Sequence, residues 1–140
     1  MPVDLAKSSD YAIRGLLFLA HRANPYEPVL LRDIAPHAKA PVPYLSKVFQ
    51  SLRASRLVRS HRGRERGYSL ARPPQDVSLY DIIIAMEGPA ALRSIPSMSR
   101  QTGDGDPFRL VWMGIEEKII ETMKLTTLCT ILTQQPTGHS

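Results

Sequence analysis

The sequence predicts a mainly α-helical fold carrying one small β-hairpin. Three observations lead there. Apolar residues recur at i, i+3/i+4 and i+7 in four separate segments, the pattern of helices that bury one face. Between the second and third of these, two short runs at 57–62 and 67–71 flank Gly63-Arg64-Glu65-Arg66-Gly67, a glycine-bounded turn of the kind that closes a hairpin. Twelve prolines in 140 residues, against a usual share of about 5%, break the chain often without forming a polyproline tract.

The first helix is expected over 11–22, with Ser8-Ser9-Asp10 as candidate N-caps and Ala12, Ile13, Leu16, Leu17, Leu19 and Ala20 as its apolar stripe. Asn24-Pro25-Tyr26-Glu27-Pro28 ends it. A short helical segment at 29–37 presents Leu31, Ile34 and Ala35. Ala40-Pro41-Val42-Pro43 opens the next helix, because proline in a first turn removes only amide donors that lack an intrahelical partner. That helix, 43–55, buries Leu45, Val48, Phe49 and Leu52 and leaves Tyr44, Ser46, Lys47, Gln50 and Arg53 outward. After the hairpin, Arg72-Pro73-Pro74 closes the ribbon. Ser78 then caps a helix at 79–87, which Gly88-Pro89 stops. Residues 90–107 read as a loop. Phe108, Val111, Trp112, Ile115, Ile119 and Met123 line one face of a long helix at 108–124, and Thr126-Thr127 caps a last short helix before a polar tail.

A short helix, a turn of about four to six residues and a second helix with a polar outer face is a helix-turn-helix. A two-stranded ribbon directly after it is a wing. The expected architecture is therefore a winged helix-turn-helix at 1–89, a loop at 90–107, and a dimerisation helix with its tail at 108–140. The last assignment rests on economy: the winged helix already supplies a core, so an apolar helix beyond it is best covered by a second copy of the chain.

Charge places the function. The chain carries +5 overall with a pI near 9.7. Residues 47–72 hold Lys47, Arg53, Arg56, Arg59, Arg62, Arg64, Arg66 and Arg72 against Glu65 alone, a net +7. The remaining residues sum to −2. Arginine is the side chain suited to bidentate phosphate and guanine contacts, so the expected partner is double-stranded DNA. Tyr44, Ser46, Lys47 and Gln50 of the second helix face the major groove in this reading, and Pro43 and Arg53 are further DNA-binding residues of that helix. Arg59, Arg62, Arg64 and Arg66 of the wing meet phosphates and the adjacent minor groove.

Other classes find little support. The one cysteine, Cys129, excludes an internal disulfide framework and sits beside Leu128, Ile131 and Leu132 as a buried thiol. The four histidines lack the spacing of a metal pair, and Asp104 and Asp106 lack the further ligands of a calcium loop, so no metal or cofactor is expected. Nothing assembles a nucleophile, a base and an orienting group, so the chain is not read as an enzyme. An uninterrupted apolar run such as 15–20 is far short of the roughly 18 residues of a membrane span, and the opening residues lack a secretory pattern; the expected address is the cytoplasm. Two alternatives stand beside the DNA reading: a winged-helix adaptor that binds a protein, and a thiol-redox regulator acting through Cys129. A small-molecule or protein effector is left unidentified.

Asp10-Tyr11-Ala12-Ile13-Arg14-Gly15-Leu16-Leu17-Phe18-Leu19-Ala20, Pro43-Tyr44-Leu45-Ser46-Lys47-Val48-Phe49, Leu57-Val58-Arg59-Ser60-His61-Arg62-Gly63, Gly67-Tyr68-Ser69-Leu70-Ala71 and 79–88 together resemble the Rrf2 family of bacterial winged-helix regulators. The resemblance covers about residues 5–133. It implies a cytoplasmic homodimeric transcription regulator, usually a repressor, whose recognition helices enter successive major grooves and whose long C-terminal helices cross. Arg62 matches the family's minor-groove arginine. Pro41 and Pro43 fall where the family often has hydroxyl residues. Ser46 replaces an acidic residue that tunes target choice in the iron–sulfur member. Two departures stand out: Arg66 replaces the first of a glycine pair at the wing tip, and residues 90–107 lack the three cysteines of cluster-binding members. The resemblance therefore implies a member without an iron–sulfur cluster.

Overall fold

The computed structural model describes residues 6–88 and 106–134. Three helices, α1 (Lys7–His21), α2 (Leu31–Ala38) and α3 (Val42–Ala54), lead into strands β1 (Val58–His61) and β2 (Gly67–Leu70). A single 3-10 turn at Pro74–Asp76 precedes α4 (Leu79–Glu87), and α5 (Pro107–Leu125) and α6 (Leu128–Leu132) follow. The expected loop at 90–107 lies outside the described residues except for its last two.

Helix α1 starts a turn earlier than expected. Its N-cap is Ala6, without a side-chain cap, and Ser8, Ser9 and Asp10 belong to the helix. Ser9 is fully buried and donates its hydroxyl hydrogen bond to the Glu87 carboxylate at the end of α4. Asp10 instead pairs with Arg14 one turn on, at 3.1 Å. The reason for the misplacement is that a serine buried by a distant helix reads locally like a cap.

The turn between α2 and α3 is only three residues, Lys39, Ala40 and Pro41, with Lys39 in the left-handed region at φ 56°. Pro43 occupies the first turn of α3 as expected, and Leu45, Val48, Phe49 and Leu52 are all buried. They meet Leu16 and Leu19 of α1, Ile34 of α2, Leu57, Leu70 and Ile82 in one continuous core. Gly15 allows α1 to lie close to α3, since a Cβ there would sit 3.0 Å from the Phe49 ring.

The two strands are antiparallel, pairing Val58 with Leu70, Arg59 with Ser69, Ser60 with Tyr68 and His61 with Gly67. Residues 62–66 form the tip. The hairpin has a further partner: Val29, just before α2, bridges to Tyr68 through amide–carbonyl bonds of 2.9 and 2.8 Å. Tyr68 also meets Phe49 edge-on, with ring centroids 5.1 Å apart. The wing is thus tied to the core at its base.

Helix α4 begins with the expected Ser78 cap, completed into a capping box by Asp81, which satisfies two orphan amides reciprocally. Helix α5 is capped by Asp106, whose side chain accepts from the Phe108 amide at 3.0 Å. The boundary drawn at residue 108 separates α6 from the winged helix, yet Leu128 is fully buried in the same core. Leu79 N donates to Thr126 O and Leu128 N to Val77 O, at 2.8 and 3.0 Å, stitching the start of α6 and the residue pair before it to the start of α4.

Candidate nucleic-acid interface

Helix α3 is half-sunk in the core, and its outward side follows from the periodicity. Lys47 and Gln50 lie opposite the buried Leu45, Val48, Phe49 and Leu52, and both are exposed, as is Pro43. Ser46 (half-buried) and Arg53 (exposed) flank them on one side. Tyr44 flanks the other; its ring leans edge-on against Tyr11 of α1, 5.4 Å between centroids, while the residue stays 47% exposed. That contact fixes the direction in which the phenol leaves the surface. The helix therefore offers two cations, an amide and two hydroxyls, groups that bond base edges and phosphates.

The wing tip carries Arg62, Arg64 and Arg66, all exposed, and Arg59 is exposed on β1. Among the described residues none of these, nor Arg53 or Arg56, has an ion-pair partner; the pairs present are Arg14–Asp10, Arg22–Glu27 and Arg72–Asp81. Uncompensated like charges repel one another, so such a cluster raises the local potential and favours a polyanion. On β1 the His61 ring accepts or donates a 2.8 Å hydrogen bond with Ser69 Oγ across the ladder, which holds that ring down beside the arginines.

The residues expected at a dimer seam divide in two. Phe108, Val111 and Ile115 of α5 stand 45%, 62% and 40% exposed. Trp112, Ile119 and Met123 are half-buried; α5 as a whole contacts α4. Leu110, Met113 and Leu125 are further exposed apolar residues of this helix that the seam reading missed; they fall off its i, i+4 stripe. No residue of α5 is fully buried. Cys129, expected as a buried thiol, is half-buried: Leu128 takes the core position beside it. No described helix is long and apolar enough to cross a membrane.

A helix-turn-helix whose second helix presents polar groups outward, followed by an arginine-tipped wing anchored to the core, defines a winged-helix DNA-binding transcription regulator. The family model for Rrf2, described as an iron-dependent transcriptional regulator, matches residues 5–134. The chain belongs to the Rrf2 family. It is 32% identical over 133 residues to Rv1287 of Mycobacterium tuberculosis, which is named as an HTH-type transcriptional regulator, covering 91% of this chain and 80% of that protein. Among solved structures it is similar to CymR, the global cysteine regulator of B. subtilis, with TM-score 0.77, 25% identity, and 96% and 99% of the two chains covered. It is likewise similar to T. potens IscR, with TM-score 0.73, 28% identity, and 98% and 95% covered. The hairpin wing and the helix-turn-helix were legible in the sequence; the anchoring bridge at Val29 was not.

The family description names iron. This chain has one cysteine, and among the described residues no three of His, Cys, Asp and Glu are gathered to hold a metal ion. The side chains present do not fit a cluster ligated by three cysteines of one chain.

Proposed function

We propose that this regulator acts as a homodimer, without an iron–sulfur cluster, and represses transcription by occupying a pseudo-palindromic operator. Residues 1–89 read the DNA and α5 supplies the contact between copies. The observation that carries this reading is the coexistence of an unpaired arginine wing beside α3 with an apolar stripe, Phe108, Val111 and Ile115, left open on α5. Two copies related by a two-fold axis would cover that stripe and set two recognition helices one turn of DNA apart, about 34–36 Å. In this docking Pro43, Tyr44, Ser46, Lys47 and Gln50 face base edges and adjoining phosphates, with Arg53 and Arg59 beside them. Arg62, Arg64 and Arg66 reach phosphates and the minor groove.

The two kinds of contact separate experimentally. Fluorescence anisotropy of alanine variants, on an operator obtained by selection and on random duplex at several salt concentrations, is the test. Loss of a phosphate-contacting wing arginine should flatten the log-affinity against log-salt slope by roughly one unit, with similar losses on both DNAs. Loss of a base-reading group on α3 should cost about 1–3 kcal/mol on the operator and much less on random duplex. Wing variants with full affinity and an unchanged slope would overturn this docking in favour of a protein-binding adaptor.

A further inference from the structure

The outward flank of α3 that carries Arg53 continues into a concavity of about 560 Å³, whose rim includes Arg53, Arg56, Arg59, His61 and Arg72. Four arginines line it, and the carboxylate paired with them is Asp81, 3.7 Å from Arg72. A helix end calls for one cation to complement its carbonyls. Arg53 already meets that need, so the dipole does not account for the other three.

Arg56 adds an independent observation. It stands at φ 62°, immediately after α3. Leu57 N donates to Leu52 O and Arg56 N to Arg53 O, both at 2.9 Å, which is the paired closure of a Schellman motif. Arg56 holds the left-handed position that glycine normally takes there, and Leu52 and Leu57, which make the accompanying apolar contact, are both buried. The backbone would be better served by glycine, because a Cβ in the left-handed region crowds the following carbonyl. A strained arginine at the mouth of an arginine-lined concavity points to a role for its side chain.

We propose that Arg53, Arg56, Arg59 and Arg72 form a phosphate-binding site that grips the DNA backbone alongside the recognition helix, a contact additional to the wing tip. This rests on the DNA-binding reading above and adds Arg56 and Arg72 to it. The site takes a phosphate group through guanidinium forks, so it holds the duplex in register without reading sequence.

Arg56→Gly is the decisive variant, because it keeps the turn's backbone geometry while removing the cation; Arg72→Gln is the second, leaving the Ser78–Asp81 capping box intact. Each is titrated by fluorescence anisotropy against a labelled duplex of arbitrary sequence across a salt series, beside the unaltered chain and Arg62→Ala. The expected result is a slope about one unit flatter for each variant, weaker binding by the same factor on unrelated duplexes, and a melting temperature for Arg56→Gly no lower than that of the unaltered chain. If Arg62→Ala flattens the slope while Arg56→Gly and Arg72→Gln superimpose on the unaltered chain, the site is refuted and the winged-helix docking stands. If the unaltered chain binds no duplex, the docking itself fails and the site with it. Pyrophosphate at constant ionic strength tests the source of the phosphate: saturable calorimetric binding that Arg56→Gly abolishes, with duplex affinity unchanged, would assign the site to a free phosphate ligand and overturn the DNA contact.

Discussion

Replacing Gly67 by alanine should separate the wing from the core at a cost calculable from two local facts. Gly67 opens β2 at φ 131°, and a Cβ built there would lie 2.3 Å from Val29 O and 2.5 Å from Val29 C. Those are backbone atoms, so no side chain can swing aside; the Val29 backbone itself must move. Moving it breaks the Val29 N–Tyr68 O and Tyr68 N–Val29 O bonds of 2.9 and 2.8 Å, each worth about 1 kcal/mol net. The left-handed backbone costs a non-glycine residue about 1–2 kcal/mol more. The sum is roughly 3–4 kcal/mol, a large share of the 5–15 kcal/mol that holds a typical domain together. Gly63→Ala is the internal control. It has φ 91° but open space where its Cβ would go, so it bears only the strain; the gain of about 0.4–1 kcal/mol from a less flexible unfolded chain is common to both variants and cancels between them. Urea unfolding followed by far-ultraviolet circular dichroism measures both. Should Gly67→Ala and Gly63→Ala lose equal stability, the Val29 bridge does not restrain the wing and the reasoning fails.

Two further outcomes are expected. Ile115→Asp places a carboxylate in the open stripe of α5, where each large apolar side chain buried between copies contributes about 1.5–3 kcal/mol; light scattering should report a monomer, and an unchanged soluble dimer would put the interface elsewhere. Protein purified without oxygen should be colourless and hold no stoichiometric iron; visible cluster absorption with matching iron and sulfide would contradict that.

What could be read from the sequence was governed by local chemistry. Pro43 at the start of α3, the Ser78 cap of α4 and the glycine-bounded turn at 63–67 each act on their own few residues, and each stands where the pattern put it. Features decided by distant partners were hidden. Val29 follows two prolines and opens a segment that reads as helical, and only the presence of Tyr68 gives it a β-bridge. Ser9 resembles a cap until Glu87 is beside it. The outer face of α3 was legible because its buried stripe is strong, whereas the edge contact that turns Tyr44 toward Tyr11 depends on how α1 and α3 cross. Arg56 was visible as a charge, but its left-handed backbone was not, since an arginine gives no warning of a glycine's position.

The return of α6 to the core bears on how this protein can be rearranged. Winged helices are often pictured as cassettes, joined at will to whatever oligomerises them. Here the segment after the long helix fills a place inside the DNA-reading half: Leu128 is fully buried, and Val77 and Leu79 share backbone bonds with Leu128 and Thr126. A chain severed after Gly88 would lack a core leucine, a loss of the kind that costs about 2–5 kcal/mol when only the side chain is trimmed to alanine. Recombination that swapped the portion after residue 107 alone would deliver the same defect. Both portions must therefore travel together, and in the dimer proposed above a shift of α5 against a second copy would be passed through Thr126 to the start of α4.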